Sequence, residues 1–180
     1  PDTGEGLAGT LVPIDGTLPT EEKKSGVVAD ILGHTLFLLM SAIQTENLTV
    51  VLDSCHSGAS TRDRRVRARE GGKAIAISPQ EKAYQEQWLD RLGWSPKEFV
   101  RRYRQGIAKG VVLAATQVDQ LAVDEQFNGF EAGAFSYRLM QYLWQQNSTP
   151  DRTISEIQRQ IPKDHFQKPK LEVAPGSTNG

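Results

Sequence analysis

The sequence predicts an α/β protein on a mostly parallel sheet, and three observations carry that expectation. Leu48–Leu52 and Val111–Thr116 are short, apolar and rich in β-branched residues, as strands buried on both faces are. Between a first apolar run, Thr10–Ile14, and Leu48 lies a stretch with apolar residues at near-helical spacing. Strand, helix, strand in that order points to a crossover unit, which returns the chain parallel.

Residues 1 to 9 are Gly-rich and polar, the composition of a loop. Pro13 demotes the run Thr10–Ile14 to an edge or terminal strand, and Asp15-Gly16 is a turn signal. The first helix, from about Ser25 to Ile43, takes Ser25 as its N-cap and carries Val27, Val28, Ile31, Leu32, Leu36, Leu38 and Leu39. Ala59–Lys73 has no apolar period and reads as a solvated, mobile loop. Pro79–Leu92 and Pro96–Tyr103 are two helices split by Gly93-Trp94-Ser95, with Ser95 capping a proline at the first helical position. After the strand Val111–Thr116 comes a polar, acid-rich loop, Gln117–Gly133. The helix Ala134–Gln145 follows, with Phe135, Leu139, Tyr142 and Leu143 on one face. Thr153–Gln160 is a short helix under its own Thr cap, and a strand near Leu171–Val173 precedes a frayed tail.

A length of 180 residues suits one domain spanning 1–180, with no internal repeat or second boundary. A net charge of −1 gives no global pull toward nucleic acid or anionic membrane. One cysteine excludes an internal disulfide framework and favours a reducing compartment. The longest apolar stretch, from Thr35 to just past Met40, is too short to span a bilayer. The first residues have no signal-peptide character, and the first is not Met. The expectation is a soluble, cytoplasmic protein, of which this chain is a fragment or a processed piece.

The chemistry concentrates past the strand Leu48–Leu52, where Asp53, Ser54 and Cys55 fall at the carboxyl end, the place ligands occupy in open α/β sheets. Most lone cysteines are small core hydrophobes. Asp-Ser-Cys-His-Ser-Gly, residues 53–58, is a poor setting for one, and Gly58 leaves room for a peptide backbone to approach.

That hexapeptide after an apolar strand resembles the nucleophile segment of the caspase-like cysteine peptidases, in the metacaspase and orthocaspase branch. Residues 9–15 (GTLVPID), 112–116 (VLAAT) with Asp119-Gln120, and 133–137 (GAFSY) resemble further segments in the same order. The resemblance implies a three-layer sandwich of the caspase–haemoglobinase type and a cysteine endopeptidase that cleaves after Arg or Lys. It implies Cys55 as nucleophile, its backbone N–H in the oxyanion hole, and no cofactor beyond the calcium that many metacaspases require. Calcium is not expected here, because Asp2, Glu5 and Asp15 are sparse ligands and the stretch after Cys55 is basic. No metal site is expected.

A thiol attacks a peptide carbonyl as thiolate and needs a base, which in this family is a His about fifty residues upstream. None of the three histidines fits. His34 lies mid-helix, where it packs or faces solvent; the His56 side chain points away from Cys55 on an extended chain; His165 lies in the tail. The family's Ser-Gly-His-Gly turn would fall just before Pro1. The expected partner is therefore the N-terminal part of the same domain, carrying that His and the first strands of the sheet.

Asp53, two residues before the nucleophile, is expected to select a basic P1 side chain, since a partly buried carboxylate pairs best with a bidentate guanidinium. The alternative is that it only caps the following turn. Asp119, past the next strand, is expected to help line the same pocket. In the family, the segment after the nucleophile strand is often cut autocatalytically. Arg62, Arg64, Arg65, Arg67, Arg69 and Lys73 within the loop 59–73 would be self-substrates. The loop lacks the interleaved aromatics of a nucleic-acid patch. Expected partners are peptides or proteins with a basic P1 residue, and neither nucleic acid nor membrane. The rival class is a caspase-like pseudoenzyme that acts as an interaction module.

Overall fold

The computed structural model describes residues 10–13, 30–54, 78–117, 120, 122–145, 149–161 and 167–176. It is a mixed α/β structure with five described helices and small mixed and antiparallel sheets, in two compact units.

The first unit holds β1 (Thr10–Leu11), β2 (Ile31–Leu32), α1 (Gly33–Ala42), α2 (Pro79–Leu92) and α3 (Pro96–Tyr103). The helix expected from Ser25 is corrected at its near end. Ile31 and Leu32 are extended and pair antiparallel with Leu11 and Thr10, and α1 starts at Gly33. Residues 14–29 lie outside the described part. No side chain of its own caps α1. Instead the Glu81 carboxylate of α2 accepts from Leu32 N at 3.4 Å, a backbone donor that a helix start leaves orphaned, and from the Thr35 hydroxyl. α2 and α3 have the bounds expected from sequence. Ser78 and Ser95 accept from Glu81 N and Glu98 N at 3.0 and 3.2 Å, each with Pro at the first helical position. α2 ends at Gly93, whose φ of +66° is the left-handed cap that glycine takes without strain. Phe37, Leu38, Leu89 and Phe99 form this unit's core. His34 is buried there, edge-on to Phe99 and Tyr103, so it packs.

The second unit holds β3 (Thr49–Leu52), β4 (Val111–Ala114), β5 (Asp124–Phe127), β6 (Phe130–Gly133), α4 (Ala134–Gln145), α5 (Pro150–Gln160) and β7 (Lys170–Val173). β3 and β4 pair parallel, as expected, but β7 joins β4 antiparallel in the order β3-β4-β7. The expectation that β3 is buried on both faces is also corrected. Its residues alternate between exposed and half-buried, with Val51 44% exposed, and β4 is the middle strand, with Val112 and Leu113 buried.

The stretch Gln117–Gly133 is not all loop. Asp124–Phe127 and Phe130–Gly133 form a hairpin closed by Asn128-Gly129, at φ +46° and +96°, the pair of left-handed residues a two-residue type I′ turn needs. α5 begins earlier than expected, at Pro150, with Thr149 as its cap, and Thr153 is buried on the helix. Leu113, Ala115, Phe135, Leu139, Ile154 and Ile157 make the core; fully burying Phe135 or Ile157 is worth about 2 kcal/mol over leaving it exposed. Leu143, expected on the buried face of α4, is 67% exposed. Among the described residues no helix is long and apolar enough to cross a membrane.

Candidate functional site

Parallel pairing decides where the candidate residues of the second unit meet. Leu52 is opposite Ala114, and Ala115 N donates to Leu52 O at 2.8 Å, so both strands stop at one edge. Asp53 and Ser54 leave β3 at its carboxyl end, and Ala115 and Thr116 leave β4 beside them. The buried Thr116 donates its hydroxyl hydrogen to Ser54 O over a long 3.4 Å.

Asp53 is half-buried, and its Oδ2 accepts from Ser136 N at 3.1 Å. Ser136 is in the first turn of α4, whose preceding residue, Gly133, has no side chain to offer as a cap. A carboxylate there replaces the missing cap and complements the positive end of the helix. Asp53 thus serves the start of α4, across the unit.

α4 in turn is fixed from several directions. Ala134 N donates to Val123 O at 2.8 Å, and Phe135 and Leu139 are in the core. Arg138, buried, donates to Ala134 O at 2.9 Å and pairs with Glu125 on β5. Behind the same edge, Gln167 is buried and ties three segments together. Its Nε2 donates to Ala115 O at 3.2 Å, while Oε1 accepts from Val123 N at 3.3 Å. Gln120 Oε1 accepts from Gln117 N and Lys168 N, at 3.1 and 2.8 Å, and so pins the turn after β4 to the segment before β7.

The structure therefore brings together Asp53, Ser54, Thr116 and the start of α4. Cys55, Asp119 and the basic side chains Arg62, Arg64, Arg65, Arg67, Arg69 and Lys73 lie outside the described residues. Among those described, no three His, Cys, Asp or Glu side chains cluster as metal ligands. Ser136 and Thr116 were not singled out from sequence, since one acts through its backbone and the other through a single hydroxyl. The helix start after Gly133, with no side chain to cap it, was the available signal for an acid arriving from elsewhere.

No family model matches the sequence, and no curated protein matches it. Among solved structures, a crystal structure of a protein from Geobacter sulfurreducens is similar at a TM-score of 0.47 and 19% identity. The match covers 96% of this chain and 64% of that one, so the chain spans less than two thirds of its length.

Proposed function

We propose that this protein is a cysteine endopeptidase of the caspase-like type, cleaving after Arg or Lys with Cys55 as nucleophile. The observation that carries the reading is the place of Asp53. Its carboxylate stands at the carboxyl edge of a parallel strand pair, two residues before the sequence's only cysteine. That edge is where ligands bind in α/β sheets, and a half-buried carboxylate there suits a guanidinium or ammonium ion. The fold that goes with this activity is a three-layer sandwich with further strands beside β3. In keeping with that, β4 is the one strand that pairs with β3 among the described residues.

In this reading the Cys55 thiolate attacks the carbonyl carbon after a basic residue, and the Cys55 N–H helps hold the resulting oxyanion. A histidine upstream of Pro1 takes the thiol proton and gives it to the leaving amine. Water then releases the acyl group from sulfur. Asp53 binds the P1 cation.

The test is cleavage of reporter peptides differing only at P1, by a preparation that extends upstream of Pro1. Turnover after Arg and Lys but not Asp is expected, and Cys55→Ala should abolish it with the thermal midpoint almost unchanged. Turnover surviving in Cys55→Ala, or a folded wild type inert toward every basic P1, would refute the reading. The latter result would favour the non-catalytic interaction module.

A further inference from the structure

We infer that the Thr116 hydroxyl sets the plane of the peptide group that follows Ser54, and with it the aim of the Cys55 N–H at the oxyanion. The inference rests on the reading of Cys55 given above and adds a residue that positions its N–H.

The β3–β4 ladder breaks at one rung. Val111 N donates to Leu48 O at 2.9 Å and Ala115 N donates to Leu52 O at 2.8 Å. In that parallel register the next donor is Gln117 N, and its acceptor would be Ser54 O. Gln117 N donates instead to Gln120 Oε1 at 3.1 Å. Ala115 O is likewise taken by a side chain, Gln167 Nε2, at 3.2 Å. The Ser54 carbonyl is thereby released from the backbone ladder, and the Thr116 hydroxyl donates to it at 3.4 Å. Thr116 is buried, and Ser54 O is the acceptor its hydroxyl meets among the described residues. A buried hydroxyl without an acceptor is costly, so the contact is kept although it is long.

A trans peptide is planar, with its C=O and N–H on opposite sides. Whatever holds the Ser54 oxygen therefore restrains the direction of the N–H in the same peptide, and that N–H belongs to Cys55. A backbone rung would keep this peptide in the plane of the sheet. A side-chain donor frees it from that plane at the strand edge where ligands bind, and still restrains it. An oxyanion donor stabilises charge only when it is aimed beforehand at the place where the charge develops. Acylation and deacylation of a thiol both pass through an oxyanion. The consequence is specific: loosening the Ser54 carbonyl lowers kcat and leaves substrate binding unchanged.

The experiment measures kcat and KM on an Arg reporter, with a preparation that extends upstream of Pro1. Rates are taken per active site, counted by stoichiometric alkylation of Cys55, so that loss of folded enzyme cancels. Thr116→Val removes the hydroxyl and keeps the shape of the side chain, whereas Thr116→Ser keeps the hydroxyl. Thr116→Ala carries the same test should the valine variant fail to fold. Thr116→Val should lower kcat by about tenfold, the scale of one hydrogen bond, with KM unchanged. That is less than the loss of an oxyanion donor outright, about a hundredfold or more. Thr116→Ser should restore kcat to near the wild-type value. An unchanged kcat in Thr116→Val, an equal fall in Thr116→Ser, or a change confined to KM overturns the positioning role and leaves the proposed function standing. A folded wild type that does not cleave the Arg reporter overturns both.

Discussion

Arg138 and Glu125 meet fork to fork, with Nη1 at 3.2 Å from Oε1 and Nη2 at 2.9 Å from Oε2. Both side chains are largely buried, and the guanidinium carbon also lies 5.4 Å from the centre of the Phe127 ring. Phe127 stacks on Tyr137, so the hairpin β5–β6 is clamped to the first half of α4 twice. Breaking one side of such a pair leaves a buried charge, and that penalty exceeds the net contribution of the intact pair. Arg138→Met should destabilise the protein by about 3 kcal/mol. The double variant Arg138→Met, Glu125→Leu should recover more than half of that. Urea unfolding of the singles and the double measures the coupling, and additive losses would show that the two side chains act independently.

Gly110, at φ +64°, precedes β4, and a Cβ built there would lie 2.1 Å from Leu48 O. That oxygen accepts from Val111 N at 2.9 Å, so it cannot withdraw without loosening the start of the β3–β4 ladder. Gly93 has nearly the same φ, +66°, with nothing within 4 Å of a built Cβ. The two glycines separate backbone strain from crowding. Gly93→Ala should cost about 1 kcal/mol, the strain of a left-handed residue. Gly110→Ala should cost at least about 2 kcal/mol more, the usual scale of overpacking. Equal losses in denaturant titrations would mean that the close approach is relieved at no expense.

Local chemistry made much of this fold legible. The Ser-Pro pair at 95–96 announced α3 with its cap, and the β-branched runs announced β3 and β4; the Ser-Pro pair at 78–79 offers the same signal for α2. The hairpin at Asn128-Gly129 was equally readable, but the acidic composition around it drew attention from the turn signal. What the sequence hid is long-range. Nothing near Ile31 says that it pairs with Leu11 and does not continue a helix, and nothing near Asp53 says that its acceptor serves a residue 83 positions on. The exposed face of β3 was hidden for a related reason: β-branched apolar residues look the same in an edge strand as in a middle one.

Glu98 gives a pH dependence with a definite sign. Hydrogen bonds from Arg101 and then Arg102 hold its carboxyl down at about 2, from an ordinary 4.5. A group whose folded value is depressed stabilises fully above its unfolded value and loses that contribution as pH falls through the folded one. The thermal midpoint of wild type should therefore exceed that of Glu98→Gln at pH 7, with the gap closing between about 4.5 and 2. The site is at the surface, so the gap should be small and should shrink in high salt. A gap that persists at pH 2 would assign the effect to packing of the side chain.

The proposed activity makes residues 59–73 of the same chain a candidate substrate. Residues 59–73 follow the nucleophile segment and offer six basic P1 positions, Arg62, Arg64, Arg65, Arg67, Arg69 and Lys73. Proteolysis needs an extended segment that can enter the site, and a polar sequence without an apolar period has the composition for one. Arg67 and Arg69 follow Val66 and Ala68, which are apolar or small, whereas Arg65 follows another arginine. Cleavage is therefore expected first after Arg67 or Arg69. Intact-mass analysis of active protein beside Cys55→Ala, after the same incubation, reads the outcome directly. Two fragments meeting within residues 62–74 should appear in the active sample alone. Replacing all six basic residues by Gln should then leave an unbroken chain that still cleaves Arg reporters. An unbroken wild-type chain that turns over those reporters would remove self-processing and leave the peptidase assignment intact. Cleavage at equal rates in wild type and Cys55→Ala would trace the cut to a contaminating protease.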